Sequence, residues 1–274
     1  MDPFKLESNE YFVLEDWVQR FPNLSVGFTT KNGGKSSGDF TSLNVGFHVN
    51  DCQQTVNENR LLLAEKLDFP LPDWVGAQQT HETVVKKVTK ADKGNGASSY
   101  ENAFKHTDGF FTYEKGILLT LCYADCVPLY FLHPESGAIG IAHAGWKGTV
   151  NGIAEEMIRV FQSEGINSND IFVAIGPSIC ENCYIVDDRV IKLVQNKLED
   201  VESKPYNLIS DHQYQLNLKE CNKEILLRAG VQKEHILITN LCTSCHKEHF
   251  FSHRRDQGKT GRMMSFIGWK EAIL

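Results

Sequence analysis

The residues with the clearest chemical potential lie in one apolar stretch near the middle of the chain. Cys126 stands just before a β-branched run, and His143 stands near the end of the next run. If the two runs pair as a hairpin, the thiol and the imidazole lie side by side. A cysteine in an apolar run is ordinarily a small core residue. Because both residues stand at strand ends, where α/β proteins gather their sites, we interpret the pair as functional.

A third residue, His81, completes a set of candidate metal ligands. It follows the polar break Gln78-Gln79-Thr80 between two apolar segments. Two imidazoles and one thiolate form an N₂S set that zinc accepts, and three protein ligands leave the fourth position open, as in catalytic sites. A cation of this kind lowers the pKa of a bound water toward about 7. Copper also tolerates these ligands, so the residues leave the metal undecided.

Four further cysteines form two C-x-x-C pairs, Cys180 with Cys183 and Cys242 with Cys245. The spacing within each pair suits a structural zinc site, but the pairs are distant in the chain and lack the glycines of a zinc knuckle. Ordinary buried thiols are therefore our main interpretation. A structural zinc site and a redox pair are the alternatives.

The elements that must position these residues are short buried strands. Within 116–148 only Asp125 and Glu135 carry charge before Trp146, and the apolar residues are rich in β-branched types, which predicts strands buried on both faces. Asn217 and Glu220 have capping-box spacing at the start of a helix. The predicted strands are 117–123, 127–132 and 138–142, and the predicted helices are 57–69, 187–198, 217–229 and a segment after Gly148 with an apolar face.

Strand and helix patterns mix throughout the chain without a break in composition. We therefore predict an α/β fold in one layered domain over residues 1–274, with a mixed central β-sheet core and helices outside. A content of 41% hydrophobic residues supports a sizeable core. No internal repeat, phosphate-binding GxxxxGK[ST] loop or dinucleotide fingerprint is present.

The charge and the N-terminus bear on partners and location. A net charge of −7 argues against a general nucleic-acid or anionic-membrane surface, although it leaves room for a local basic pocket. The segment 1–7 lacks the apolar core of a secretory signal. The apolar segment 116–148 contains charges and prolines, which favour strands over a membrane span. We expect a cytoplasmic protein with no nucleic-acid or membrane partner.

Six motifs together identify a resemblance to a known family. The chain closely resembles the YfiH-like laccase-domain family, labelled polyphenol oxidases and understood as purine nucleoside phosphorylases. The resemblance extends from about Ser25 to Trp269. The motifs are, in order, Gln79-Thr80-His81, Ala124-Asp125-Cys126-Val127-Pro128, Ala142-His143-Ala144-Gly145-Trp146, Gly176-Pro177-Ser178-Ile179, Cys242-Thr243-Ser244-Cys245 and Phe250-Phe251-Ser252-His253-Arg254.

The resemblance implies a fold, a cofactor and an activity. Members of this family have a layered α/β domain and bind zinc through two histidines and one cysteine, which correspond to His81, His143 and Cys126, the three residues reached above from chemistry. The implied activity is phosphorolysis of adenosine, inosine and 5′-methylthioadenosine to a base and a ribose 1-phosphate, with adenosine deamination as a second activity. The implied partners are a purine nucleoside and phosphate. A homodimer is one hypothesis for the oligomeric state, which the sequence leaves open.

Candidate substrate contacts follow from charge and position. Lys31 stands in a glycine-rich loop that permits close backbone approach to an anion. Arg254 and Arg255 stand beside aromatic residues in a cationic C-terminal segment. We take these three as candidate phosphate ligands. Asn44 and Asp108 are our candidates for sugar or base contacts.

The chain departs from the family pattern at two places. Lys31 occupies a position where the family usually has arginine, and lysine lacks the bidentate guanidinium fork, so phosphate affinity is expected to be lower. Glu82 follows His81, where the family often has glycine. We interpret Glu82 as a surface residue, with a contact to the ligand His as the alternative.

Three other functions compete with this interpretation. A copper-dependent polyphenol oxidase of the laccase type needs several coppers held by paired H-x-H motifs, whereas this chain has 10 His and no such pair. A metal-free hydrolase would use Cys126 as nucleophile and His143 as its base. A non-enzymatic structural-zinc or redox module would depend on the two C-x-x-C pairs instead.

Overall fold

A computed structural model describes residues 1–199, 201 and 203–271 of the chain. The central apolar segment forms strands as predicted, with bounds within two residues of the expected ones at each end. Within the described residues the strands are β1 (Phe4–Leu6), β2 (Tyr11–Leu14), β3 (Leu24–Thr29), β4 (Trp74–Val75), β5 (Ala77–Gln78), β6 (Val85–Lys87), β7 (Phe104–Lys105), β8 (Gly109–Thr112), β9 (Leu118–Tyr123), β10 (Val127–His133), β11 (Ala138–Ala144), β12 (Phe172–Ile175), β13 (Ile185–Val186), β14 (Tyr206–Ser210), β15 (Gln213–Leu216), β16 (Ile236–Ile238) and β17 (Met263–Trp269).

The predicted helices are present, but α2 begins four residues earlier than expected, α1 was not predicted, and one predicted helix is divided. Asp187 and Asn217 cap their helices, since each side chain accepts a hydrogen bond from the backbone N–H three residues on. The helix predicted after Gly148 is two helices, because Gly152 adopts a φ of 92° and interrupts the backbone. The helices are α1 (Glu15–Arg20), α2 (Gln53–Leu67), α3 (Trp146–Asn151), α4 (Ile153–Ser163), α5 (Asp188–Lys197) and α6 (Leu218–Arg228).

Two six-stranded sheets form the centre of the fold. One has the strand order β1-β2-β3-β17-β9-β4, and the other has the order β16-β12-β10-β11-β8-β6. The second sheet is mixed, since β10 pairs antiparallel with β11 while β12 pairs parallel with β16. The prediction of an α/β fold with mixed sheets is thus confirmed, although two large sheets share the role expected of one central sheet.

Apolar side chains from both sheets form a shared core between them. Tyr130 of the second sheet donates a hydrogen bond of 2.8 Å to the carbonyl of Gly27 in the first sheet. Helices α4 and α6 cover the outer face of the second sheet with residues such as Phe161 and Ile225. Helix α2 packs Leu63 against the outer face of the first sheet. The layers therefore run helix, sheet, sheet, helix.

The chain crosses from one sheet to the other within the segment 124–126. Strand β9 belongs to the first sheet, and β10 and β11 belong to the second. This crossing places Cys126 at the boundary between the sheets, at the end where β11 also finishes. None of the helices within the described part of the chain is both long and apolar enough to span a membrane.

Candidate metal centre and its pocket

Three side chains from distant parts of the chain converge at this boundary. His81 lies in the loop after β5, Cys126 immediately precedes β10, and His143 lies near the end of β11, opposite Pro128. One ligand atom from each of the three residues lies within 4.8 Å of the others. The Sγ of Cys126 is 3.9 Å from Nε2 of His81. We call these three residues the metal centre, since their donor atoms are close enough to share one cation.

Asp108 holds two parts of the metal centre in place. Its Oδ1 is 2.8 Å from Nδ1 of His143, which leaves Nε2 of that ring as the atom facing the other ligands. Its carboxylate also accepts hydrogen bonds from the backbone N–H groups of Thr80, His81 and Glu82, at 3.1, 3.1 and 2.9 Å. One buried carboxylate thus fixes both a ligand ring and the loop that carries another ligand.

The backbone of His81 adopts a conformation that is uncommon for a residue with a side chain. Its φ is 64°, in the left-handed region. A conformation of this kind costs on the order of 1–3 kcal/mol and persists only where the surroundings impose it. The three N–H bonds to Asp108 supply that constraint, and they direct the His81 imidazole toward Cys126.

The electrostatics of the centre favour a charged thiolate beside a charged imidazole in the metal-free protein. Burial alone would raise the pKa of the Cys126 thiol, but the imidazoles of His143 and His81 outweigh it and lower the pKa to about 6. Burial alone would lower the pKa of His143, yet Cys126 and Asp108 together raise that pKa to about 9. A cation bound here would take the place of the proton on the imidazole.

Gly145 makes the close approach of the ligands sterically feasible. A Cβ atom at this position would lie 2.9 Å from Cys126 Sγ and 2.9 Å from Cδ2 of His81. Contacts this short force the neighbouring atoms to move. The residue lies in the Ala-His-Ala-Gly-Trp motif, but its packing role was not part of our sequence-based interpretation.

The metal centre lies in the wall of a cavity of about 450 Å³. This volume falls in the range of small-molecule sites. Three cationic side chains, Lys147, Arg254 and Arg262, line the cavity. Burial, together with the charges of Arg262 and Arg60, lowers the pKa of the lining residue His48 to about 4. The remaining lining residues include the aromatic or apolar side chains of Tyr100, Trp146, Ile179, Tyr184 and Leu218.

Arg254 is the one residue among our five candidate substrate contacts that lines this cavity. Its guanidinium carbon lies 4.9 Å from the centre of the Tyr184 ring, and its Nη1 donates to the carbonyl of Ile185 at 2.9 Å. Its backbone N–H donates to Asp125 at 2.9 Å. These contacts hold the guanidinium at the cavity wall.

The neighbouring arginine, Arg255, does not line the cavity, and its guanidinium is bonded to acceptors within the protein. Its guanidinium donates to the carbonyls of Thr243, Ser244 and Phe250 and to both carboxylate oxygens of Asp256. All of its N–H groups are engaged by these bonds. We therefore correct our expectation that Arg255 binds phosphate, because no donor remains for an anion.

Lys31, Asn44 and Asp108 also lie outside the lining of the cavity. Asn44 is fully buried, and its Oδ1 accepts the backbone N–H of Arg262 at 2.9 Å, so it positions this arginine just before β17. Asp108 is fully buried beneath the metal centre. We correct the expectation of direct substrate contacts for Asn44 and Asp108, because their side chains bond within the protein. The phosphate role of Lys31 stays a prediction.

Sequence reasoning missed Lys147 and Arg262 as cavity residues. Lys147 directly follows the Ala-His-Ala-Gly-Trp motif, and Arg262 follows Thr260-Gly261. A cation next to a glycine in a motif was a usable signal, but where its side chain points depends on tertiary packing. His48, Tyr100 and Tyr184 carried no local signal.

Comparison with known proteins shows which family the chain belongs to. A family model described as "Multi-copper polyphenol oxidoreductase laccase" matches residues 25–270. The chain is 48% identical over 274 residues to a Bacillus subtilis protein named purine nucleoside phosphorylase YlmD, covering 98% of each chain. It is 50% identical over 252 residues to a protein of the same name from Geobacillus stearothermophilus, covering 92% of each.

Solved structures show the same fold. The crystal structure of YlmD from Geobacillus stearothermophilus superposes with a TM-score of 0.96 at 47% identity, covering 99% of this chain and 100% of that one. The Bacillus licheniformis hypothetical protein YfiH superposes with a TM-score of 0.95 at 48% identity, covering 98% and 100%. The predicted resemblance is confirmed, and the chain belongs to the family described as multi-copper polyphenol oxidoreductase laccase, with YlmD and YfiH proteins among its relatives.

Proposed function

We propose that this protein is a zinc-dependent purine nucleoside phosphorylase that acts on adenosine, inosine and 5′-methylthioadenosine. We further propose that it deaminates adenosine. The observation that carries the proposal is the convergence of the metal centre with three cations in one cavity of about 450 Å³. The names of its relatives support a purine nucleoside as the substrate class.

The residues present fit a zinc ion. Nε2 of His81, Sγ of Cys126 and Nε2 of His143 form the N₂S donor set, and the sulfur–nitrogen distance of 3.9 Å is close to that expected for two ligands of one tetrahedral ion. Asp108 accepts from Nδ1 of His143, which is the usual arrangement around a metal-ligating imidazole. When bound, zinc supplies Lewis acidity, which is the chemistry that deamination at the purine C6 requires.

Phosphorolysis depends on positioning and charge. An oxygen of phosphate forms a bond to C1′ of the ribose while the bond from C1′ to N9 breaks, and the electron pair of that bond leaves with the base. Arg254, Arg262 and Lys147 are the cations that would hold phosphate in the cavity. Burial lowers the pKa of the Arg262 guanidinium, but arginine stays protonated at neutral pH, so the charge is available.

The apolar part of the cavity suits a planar base. Tyr184 lies under the Arg254 guanidinium, and Ile179 and Leu218 also line the cavity. Stacking on such a surface would orient the base and exclude water from the ribose carbon. Water exclusion matters because water at C1′ would hydrolyse the nucleoside rather than transfer its ribose to phosphate.

The decisive test is a product assay. Purified protein is incubated with adenosine, with and without phosphate, and adenine, hypoxanthine, inosine and ribose 1-phosphate are followed by chromatography. We expect phosphate-dependent release of base that disappears in Cys126→Ser and persists in Cys52→Ser, a matched change at an exposed cysteine outside the cavity. Equal turnover in both variants would end the proposal.

Two alternatives are separated by metal analysis of the same protein. The His₂Cys donor set and the family description favour copper as the second candidate, for which copper content and phenol oxidation are the readouts. The lowered pKa of Cys126 beside His143 favours a metal-free hydrolase as the third. Zinc at the centre, lost in His81→Ala, supports our proposal, whereas a metal-free protein with a readily alkylated Cys126 supports the hydrolase.

A cytoplasmic location and a homodimer complete the proposal as predictions. Cell fractionation tests the first. Light scattering of the purified protein tests the second.

A further inference from the structure

The two C-x-x-C pairs, which are distant in the sequence, meet at the edge of the cavity wall. The first pair lies between β12 and β13, and the second pair lies after β16. We call the four residues Cys180, Cys183, Cys242 and Cys245 the four-cysteine cluster. Their Sγ atoms all lie within 4.8 Å of one another, and all four are free thiols.

The sulfur–sulfur distances fit a tetrahedral metal ion. The Sγ of Cys245 is 3.4 Å from that of Cys183 and 3.8 Å from that of Cys180. Four sulfurs around one zinc ion, each at about 2.3 Å from the metal, lie about 3.8 Å apart. The cluster thus has nearly the dimensions of a complete four-thiolate site before any ion is considered.

Backbone donors and a buried cation favour negative charge on one thiol of the cluster, that of Cys242. The backbone N–H groups of Cys180 and Cys245 donate to Sγ of Cys242, at 3.2 and 3.4 Å. Lys219 is buried nearby and donates to the carbonyls of Thr239 and Leu241, at 2.7 and 3.0 Å. Its ammonium interacts electrostatically with Cys242 and Cys180, which offsets part of the charge of four thiolates around a divalent ion.

We propose that the four-cysteine cluster is a second metal site that binds one zinc ion through four thiolates. Zinc is the ion for which a C-x-x-C pair from each of two loops supplies a closed tetrahedral shell. The four thiols lose their protons to solvent as the ion binds. A closed shell leaves no position for water or substrate, so this zinc is structural.

The site would hold together the loops that carry the cavity wall. Ile179, beside Cys180, donates its backbone N–H to the carbonyl of Asp125 at 3.1 Å. Thr243, beside Cys242, donates its hydroxyl to Oδ1 of Asp125 at 2.6 Å. Asp125 immediately precedes a ligand of the metal centre and also accepts the backbone N–H of Arg254. The structural zinc therefore acts as a positioning element for the metal centre.

Metal analysis of purified protein tests the proposal without reference to activity. Wild type prepared without added metal is expected to contain about two zinc ions per chain, and Cys183→Ser with Cys245→Ser about one. His81→Ala with His143→Ala, which disrupts only the metal centre, is also expected to retain about one. The control Cys52→Ser should retain both ions.

A second measurement keeps the test independent of the cysteine variants, should they fail to fold. The His81→Ala, His143→Ala protein keeps all four cysteines of the cluster, so its metal can be exchanged for Co²⁺. Intense thiolate-to-cobalt absorption is the expected result. Removal of the remaining ion by a chelator should lower the melting temperature of this variant.

Three results would overturn the inference. They are a His81→Ala, His143→Ala protein with no metal, a disulfide within the cluster of protein isolated without oxygen, and iron in place of zinc. None of these depends on the proposed activity. A chain that lacked phosphorylase activity but kept the zinc of the cluster would overturn only the proposed function.

Discussion

The replacement Asp108→Asn tests whether the metal centre depends on one buried carboxylate. Each carboxylate oxygen of Asp108 accepts two hydrogen bonds. Oδ2 accepts the backbone N–H groups of Thr80 and Glu82. Oδ1 accepts the backbone N–H of His81 and Nδ1–H of His143. An asparagine side chain keeps one oxygen and turns the other into an N–H₂ donor. Two N–H groups would then face a donor instead of an acceptor.

The size of the effect follows from these bonds. A buried donor without an acceptor costs about 1–3 kcal/mol. For two such donors the lower limit is about 2 kcal/mol. We expect the free energy of unfolding to fall by about this amount, because the loop of His81 is exposed and water can replace part of the lost hydrogen bonding. Loss of a group that orients a ligating histidine weakens metal binding about 10- to 100-fold. This corresponds to about 1.4–2.7 kcal/mol.

Competition with a chromophoric chelator at neutral pH measures the zinc affinity of both proteins. The matched control is Glu82→Gln, which removes one negative charge from the same loop without altering the bonds that Asp108 accepts. We expect a near wild-type Kd for the control. A Kd unchanged in Asp108→Asn would refute the positioning role, and equal weakening in both variants would show that charge, not geometry, is the cause.

Three further predictions concern the same cavity. Gly145→Ala places a methyl group 2.9 Å from Cys126 Sγ, so zinc affinity should fall while circular dichroism stays unchanged; unaltered affinity would contradict the packing argument. In metal-free protein, the rate at which iodoacetamide alkylates Cys126 should rise through about pH 6 and then level off, because the lowered pKa leaves the thiolate present above that pH. The replacement His143→Gln should move this rise to higher pH. Bound zinc should protect the thiol from alkylation. Arg254→Ala should raise the KM for phosphate more than it changes the KM for adenosine; an equal rise in both would place this arginine away from the phosphate.

The three strands of the central segment could be predicted because a run of apolar residues indicates a buried segment. Three apolar runs form buried strands, namely Leu118–Tyr123, Val127–His133 and Ala138–Ala144. Such runs are typical of strands in a sheet whose two faces are both covered by other elements. Local composition does not say which sheet a strand joins. The separation of β9 from β10 and β11 depends on the pairing of β9 with β17 near the C-terminus and with β4, both distant in sequence.

The roles of the polar candidates were harder to predict than their positions. Arg254 and Arg255 are adjacent and chemically identical, yet the first lines the cavity and the second is enclosed by carbonyls and Asp256. Asp108 was one of our candidates for sugar or base contacts. Its actual partners come from a loop far away in sequence, and no periodicity encodes such a pairing.

By itself, the sequence determined which residue types could form a metal centre, because the choice of His81, Cys126 and His143 depends on the chemistry of imidazole and thiolate. It also determined the family, since the motifs are local and ordered. Only the tertiary structure decided that these ligands share one centre. It also brought four distant cysteines together and assigned Asp108 to support rather than to substrate. The physical reason is that a donor atom is defined by covalent chemistry, whereas its partner is defined by long-range packing of strands and loops.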